Sequence, residues 1–228
     1  IYLYESKELF EKNQYAFNLR KKYNVHFDII NKEDIAKIEP SLEPIYYKGT
    51  ILKGESFTKS PLQITQKIFD NFINNGGHFV LSKIDSIFRN GNSLFLRCNE
   101  REHQFEKIVV AAGVWSNVLA KTIGDDFPLD TERGYHIIFE NNNNLLTRPV
   151  GWAKTGFYMT PMEDGIRAAG AVEIAGLKKP KNNNMLAMIE ATARSILPQL
   201  GKVKSQWMGF RPTLPDSLPV IGESQKCK

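Results

Sequence analysis

Cysteine is nearly absent: Cys98 and Cys227 are the only two in 228 residues. Their spacing offers no disulfide framework, and such sparing use fits a reducing compartment. Histidine is scarce as well. His26, His78, His103 and His136 lie far apart, with no Cys or His partner at ligand spacing, which argues against a metal site. Long hydrophobic runs are missing too. The longest, IVVAAGVW and LPVI, fall far short of the ~20 residues of a membrane span. No G-x-G-x-x-G dinucleotide fingerprint occurs, and no charged segment leads into an apolar core as in a targeting peptide. The sequence opens at Ile1, without methionine, directly in text that reads as helical, as an internal piece of a longer polypeptide would.

What is present is ordinary for a globular chain: 42% hydrophobic and 24% charged residues, enough for one large domain or two small ones. The net charge of +5 comes from 30 Lys and Arg against 25 Asp and Glu. These bases are scattered, and Arg20-Lys21-Lys22 is too short a cluster for a nucleic-acid footprint, which is a concentrated stripe.

Periodicity predicts helices over Leu3–Tyr23, Pro61–Asn74, Ser116–Ile123 and Asn184–Leu197, with a short turn over 32–38 capped by Asn31. The stretch Ile45–Ser60 reads as irregular. Short strands are expected at Phe79–Leu81, Ile84–Arg89, Leu94–Cys98 and His103–Phe105, with a hairpin turn at Asn90-Gly91-Asn92. Ile108–Ala112 reads as a fully apolar strand running into a helix. Beyond Pro128 the character changes: Arg133–Glu140, Gly151–Lys154, Phe157–Pro161, Ile166–Val172 and Lys204–Arg211 alternate like antiparallel strands, with Asp164-Gly165 at a tight turn. The asparagine runs 141–144 and 182–184 read as loop tips. The fold class is therefore α+β, with residues 1–127 mixed in character and residues 128–228 mostly antiparallel around packed helices.

Three segments could carry chemistry. In residues 108–120, IVVAAGVWSNVLA, a turn built from Ala111, Ala112 and Gly113 lets main-chain amides approach an anion; tight strand-on-helix packing explains it equally well. In residues 207–222, Trp207, Gly209 and Arg211 share one side of a strand. A guanidinium on a face opened by glycine suits a carboxylate or phosphate, the alternative being a structural ion pair with Asp216. In residues 156–170, Tyr158 and Thr160 share a face opposite Phe157 and Met159, so Tyr158 either aims its phenol into a pocket or packs. Nucleophilic hydrolase chemistry fits poorly, since the second glycine of a nucleophile elbow is missing after Gly113.

Taken in order, IEPSLEP, VVAAGVWSNVLA, LDTERGYH, YMTPMEDGIRAAG and GFRPTLPDSLPVIG resemble the FAD-dependent D-amino-acid oxidoreductase family, in particular bacterial D-amino-acid dehydrogenases and glycine-oxidase-like enzymes. The likeness runs from about Ile35 to Gly222. It implies partial FAD-binding-domain remnants joined to an antiparallel substrate domain. It implies FAD as cofactor, held in part by Ile84, Ala111, Ala112, Gly113 and Trp115, with the main chain of Ser82-Lys83-Ile84 near the adenine. It implies Arg211 on the carboxylate of a small amino-acid substrate, with Tyr158 holding the same group. No catalytic acid or base and no metal ligand is implied. The family's glycine-rich opening turn and its closing glycine-rich segment have no counterpart here, so the expectation is a fragment that is inactive alone and binds FAD poorly or not at all. The further expectations are no nucleic-acid partner, no integral membrane segment and exposed apolar surface that a second copy can cover. The location is expected to be cytoplasmic, or peripheral to the inner membrane in the parent enzyme. Two other readings stay open: a non-catalytic remnant or binding module, and a related flavoenzyme acting on N-methylated amino acids or a modified RNA base.

Overall fold

In the structure, a computed structural model, residues 1–140 and 144–227 are described; the asparagines 141–143 lie outside them. Two compact units emerge. The first comprises Ile1–Thr65, Gly134–Val172 and Pro180–Gly209, and the second Gln66–Arg133, Glu173–Lys179 and Phe210–Lys228.

The first unit is organised by a mixed sheet. Its strands are β1 (Tyr2–Tyr4), β2 (Phe27–Ile30), β3 (Lys48–Leu52), β7 (Asp130–Phe139), β8 (Val150–Trp152), β9 (Phe157–Met162), β10 (Gly165–Ile174) and β11 (Val203–Thr213), in the spatial order β11-β7-β10-β9-β8-β1-β3-β2. The chain passes into the second unit within β7, β10 and β11. The pairs β8–β9 and β9–β10 are antiparallel, as the alternation predicts. β1 joins β8 in parallel, and β3 and β2 continue antiparallel beyond it.

One face of this sheet is apolar. Ile137 and Phe139 of β7, Phe157 and Met159 of β9, and Ile166 and Ala168 of β10 meet Leu186, Ile189, Ala193 and Ile196 in one buried core. The latter four recur every three or four residues along α6 (Asn183–Ile196), which places them on one helical stripe. Asn182 caps that helix by accepting from the Asn184 N–H at 3.1 Å, so the run 182–184 is a helix start and not a loop tip.

The N-terminal reading needs correction. A single helix over Leu3–Tyr23 is replaced by β1 and then α1 (Lys7–Lys12) and α2 (Gln14–Lys22). Ser6 accepts from the Leu9 N–H at 3.2 Å and so starts a helix three residues after the strand. Tyr4, Phe10 and Phe17 form a separate aromatic cluster, Tyr4 meeting Phe10 edge-on at 5.3 Å. Phe10 and Phe17, seven residues apart in sequence, thus meet through two short helices and a strand rather than along one helix. Ile45–Ser60 is likewise not wholly irregular, because β3 pairs on both sides. After α3 (Lys32–Ile38), Glu39 is fully buried. Its carboxylate accepts from the Thr147 N–H at 3.2 and 3.1 Å and from the Thr147 hydroxyl at 2.5 Å, tying this corner to the loop before β8.

The second unit holds a three-stranded antiparallel meander of β4 (Ser86–Asn90), β5 (Ser93–Cys98) and β6 (Arg101–Phe105). Phe88 and Phe95, directly paired across it, stack at 5.3 Å. Helix α5 (Ser116–Thr122) is latched to the meander by its last residue, whose hydroxyl accepts from the Ile87 N–H at 2.9 Å. Two expected strands do not form: Phe79–Leu81 and Ile108–Ala112 have no partner among the described strands. Their apolar side chains, Leu81 at 90% and Val109 at 89% exposure, stay in solvent. An apolar run encodes burial, but a strand exists only beside a neighbour. Helix α4 (Pro61–Asn74) forms as expected, with no buried residue along it; Ile68, Phe69, Phe72 and Ile73 remain exposed. No helix among the described residues is long and apolar enough to cross a membrane.

Candidate functional site

The second face of the first unit's sheet is covered at β1 by the aromatic cluster but stays half-open over β7, β9 and β10. Strand alternation decides what it shows. Tyr158 and Thr160 project from β9 opposite the buried Phe157 and Met159, as expected. Arg167 and Ala169 of β10 stand directly across from Thr160 and Tyr158. His136 of β7 lies between the buried Tyr135 and Ile137 and so shares this face.

Two glycines form seats on it. A Cβ at Gly151 would lie 2.6 Å from the Tyr158 ring and 2.9 Å from that of Tyr2, so both rings rest where a larger residue would stand. Tyr2 and Tyr158 lie 6.1 Å apart by ring centroids. Burial first, and then the neighbouring Tyr158 phenol, push the Tyr2 hydroxyl up to about 12, so it stays protonated and able to donate. The second seat is Gly209, over which the Trp207 indole folds back. Trp207 stacks on His136 with centroids 4.9 Å apart and planes 21° from parallel. Burial and then the positive charge of Arg167 lower His136 to about 4, so the imidazole is neutral at ordinary pH. The expectation that Gly209 opens the face for Arg211 is thereby corrected: Trp207 occupies that opening.

The remaining candidates lie in the second unit. Arg211 is 64% exposed and held by one carboxylate, Glu132, at 3.7 Å. Asp216, the alternative partner, instead accepts from the Leu218 N–H at 3.0 Å. Trp115 is half-exposed and meets Phe210 edge-on at 6.0 Å. Ala111, Ala112 and Gly113 form an open turn. Gly113 has φ +58°, with nothing within 4 Å of where its Cβ would stand. The Ala112 N–H is donated to the Ser116 hydroxyl at 3.0 Å. Ile84 is half-buried just ahead of β4. A left-handed glycine with free space around it, preceded by two alanines, fits the close approach of a dinucleotide's phosphates. The structure thus gathers the five proposed FAD contacts and Arg211 into one unit and Tyr158 into the other.

Tyr2, His136, Arg167 and the Gly151 seat were not singled out from the sequence, and Gly209 was read as an opening, not as a seat for Trp207. The polar residue alternating with apolar ones at 135–137 and 166–168 was a usable signal for His136 and Arg167. Tyr2 carried none, because its strand is only three residues long.

A family model described as FAD dependent oxidoreductase matches residues 1–227. The D-amino-acid oxidase of Bradyrhizobium diazoefficiens is 30% identical over 220 residues, covering 93% of this chain and 52% of that protein. A D-amino acid dehydrogenase of Vibrio cholerae is 27% identical over 87% of this chain and 49% of its own length. The chain therefore spans about half the length of the curated relatives it matches. Among solved structures, the glycine oxidase of Geobacillus kaustophilus superposes with a TM-score of 0.90 at 16% identity, over 100% of this chain and 62% of that one, a likeness of fold.

Proposed function

The chain belongs to the FAD-dependent oxidoreductases of the DAO family, and from that premise we propose that it forms the substrate-facing part of a flavoenzyme that oxidises the Cα–N bond of a D-amino acid. The relatives named D-amino-acid oxidase and D-amino acid dehydrogenase favour that substrate class. The observation that carries the reading is Arg211: a guanidinium mostly in solvent, with a single long ion pair, free to exchange Glu132 for a substrate carboxylate. Tyr158, 46% exposed on the open face of the first unit, is the second substrate ligand in this reading, its phenol able to donate to a carboxylate. Bound FAD supplies the two-electron acceptor for the Cα hydride. The resulting imine adds water and releases a keto acid and ammonia. Ala111, Ala112, Gly113, Trp115 and Ile84 hold part of the cofactor. Residues 128–228 contribute both substrate ligands, and residues 1–127 contribute the flavin contacts. The two free cysteines suit a reducing cytoplasm, and the exposed apolar residues of α4 favour self-association.

In a flavin-loaded protein carrying this chain, Arg211→Leu should raise KM by about 10- to 150-fold, the equivalent of ~1.5–3 kcal/mol for a charge-assisted hydrogen bond. FAD affinity should stay unchanged. An unaltered KM removes Arg211 from the substrate. The 228 residues expressed alone should hold FAD weakly and turn nothing over, because one of the turn's amides is already committed to Ser116. Titration of flavin fluorescence reads this directly, and a yellow protein with stoichiometric FAD contradicts it.

A further inference from the structure

We infer that Arg167 is a second carboxylate-binding residue on the open face of the first unit, where with Thr160 and His136 it receives the acidic side chain of a dicarboxylic amino acid. The inference rests on the proposed amino-acid oxidation.

Arg167 is half-buried on β10. Among the described residues no carboxylate stands within ion-pair distance of it, whereas Arg97, Arg133, Arg148, Arg194 and Arg211 each have one; of the others without one, Arg20 lies over the Phe17 and Phe27 rings, Arg89 donates to the Gly91 carbonyl and Arg101 is exposed. A half-buried cation left without a counter-charge is an electrostatic cost that an arriving anion offsets. Its surroundings are donors. Thr160 stands directly opposite on β9, and its hydroxyl can donate. The Trp207 stack fixes the plane of the His136 ring, and the neutral imidazole retains one N–H to give. The field of Arg167, added to burial, is what keeps that ring uncharged.

One guanidinium fork matches the two oxygens of a carboxylate. Tyr158 lies two residues from Thr160 on the same face, about 7 Å along the strand. A four- or five-carbon dicarboxylic amino acid bridges that interval, with one end toward Tyr158 and the other toward Arg167. The acidic substrates D-aspartate and D-glutamate fit this arrangement; a basic side chain would meet Arg167 with like charge.

The test has two arms. In the first, the His136 ring is titrated by NMR, with His136→Asn assigning its signal, with and without glutarate, a dicarboxylate that cannot be oxidised at a Cα–N bond. A carboxylate on Arg167 screens its charge, so the ring should titrate above about 4 when glutarate is bound. Arg167→Met should abolish the glutarate response, and Arg167→Lys should keep a weaker one. A wild-type ring indifferent to glutarate overturns the inference. In the second arm, a flavin-loaded protein carrying the chain is assayed for kcat/KM on D-glutamate and D-alanine. Arg167→Met should lower the D-glutamate to D-alanine ratio by about tenfold or more. An unchanged ratio also overturns the inference. Absence of turnover on every amino acid would instead count against the proposed function, and the glutarate arm would still decide the role of Arg167.

Discussion

Replacing Gly165 by alanine should be among the most damaging single substitutions in the first unit. Gly165 begins β10 immediately after the Glu163-Asp164 turn and pairs with Met162 of β9. Its φ is +144°, a conformation that L side chains rarely adopt. An added Cβ would drive into the Phe139 carbonyl oxygen and stand 3.1 Å from its carbonyl carbon. Neither atom can swing aside, because both belong to the main chain of β7. Backbone strain of ~1–3 kcal/mol and overpacking of similar size together predict a loss of about 2–6 kcal/mol. That is a large share of the ~5–15 kcal/mol by which domains are stable. Gly156→Ala is the control: φ is +60° there, but nothing lies within 4 Å of the new atom. It should cost only about 1 kcal/mol. Urea midpoints of the two variants separate the effects, and equal losses would show that conformation alone, and not the clash, decides.

The turn at Gly165 was legible because Glu-Asp-Gly between two alternating runs has few other readings. Strands β7, β9 and β10 were legible for the same reason: each alternates, and their buried residues share one core with those of α6. The N-terminal strands were not. β1 is three residues long, and its neighbours in the sheet come from residues 48–52 and 150–152, contacts with no trace in local sequence. The opposite error occurred at Phe79–Leu81 and Ile108–Ala112, where β-branched and aromatic residues advertise strands that no neighbour completes. Local propensity states what a segment can do, and pairing decides whether it does.

The site divides in the same way. Tyr158, Arg211 and the Ala-Ala-Gly turn stand out because they sit within motifs. Arg167 and His136 sit within ordinary alternation, and their setting depends on folding. The sequence has 30 Lys and Arg, and nothing local marks Arg167 as one without a carboxylate. Gly209 was expected to open the face for Arg211, but the Trp207 indole closes the space over it.

The second unit should be most sensitive at Arg133, also hidden in plain alternation. Arg133 is fully buried, a rare state for arginine. Its guanidinium lies 3.4 Å from Glu173 and 5.8 Å from the centre of the Phe210 ring, linking β7, β10 and β11 within that unit. Glu173, only 12% exposed, also faces Lys179 at 3.6 Å. Arg133→Met keeps much of the volume but leaves a nearly buried carboxylate without its guanidinium. Removing one partner of such a pair costs ~3–5 kcal/mol, mostly the penalty of the stranded charge. The double variant Arg133→Met/Glu173→Gln should therefore recover part of that loss. Lys179→Met, which removes an ammonium 60% exposed, should cost under about 1 kcal/mol. Urea midpoints for the wild type, Arg133→Met, Glu173→Gln and the double variant close the cycle. A double variant no more stable than Arg133→Met would mean that packing of the guanidinium against Phe210, and not the ion pair, holds the three strands in place.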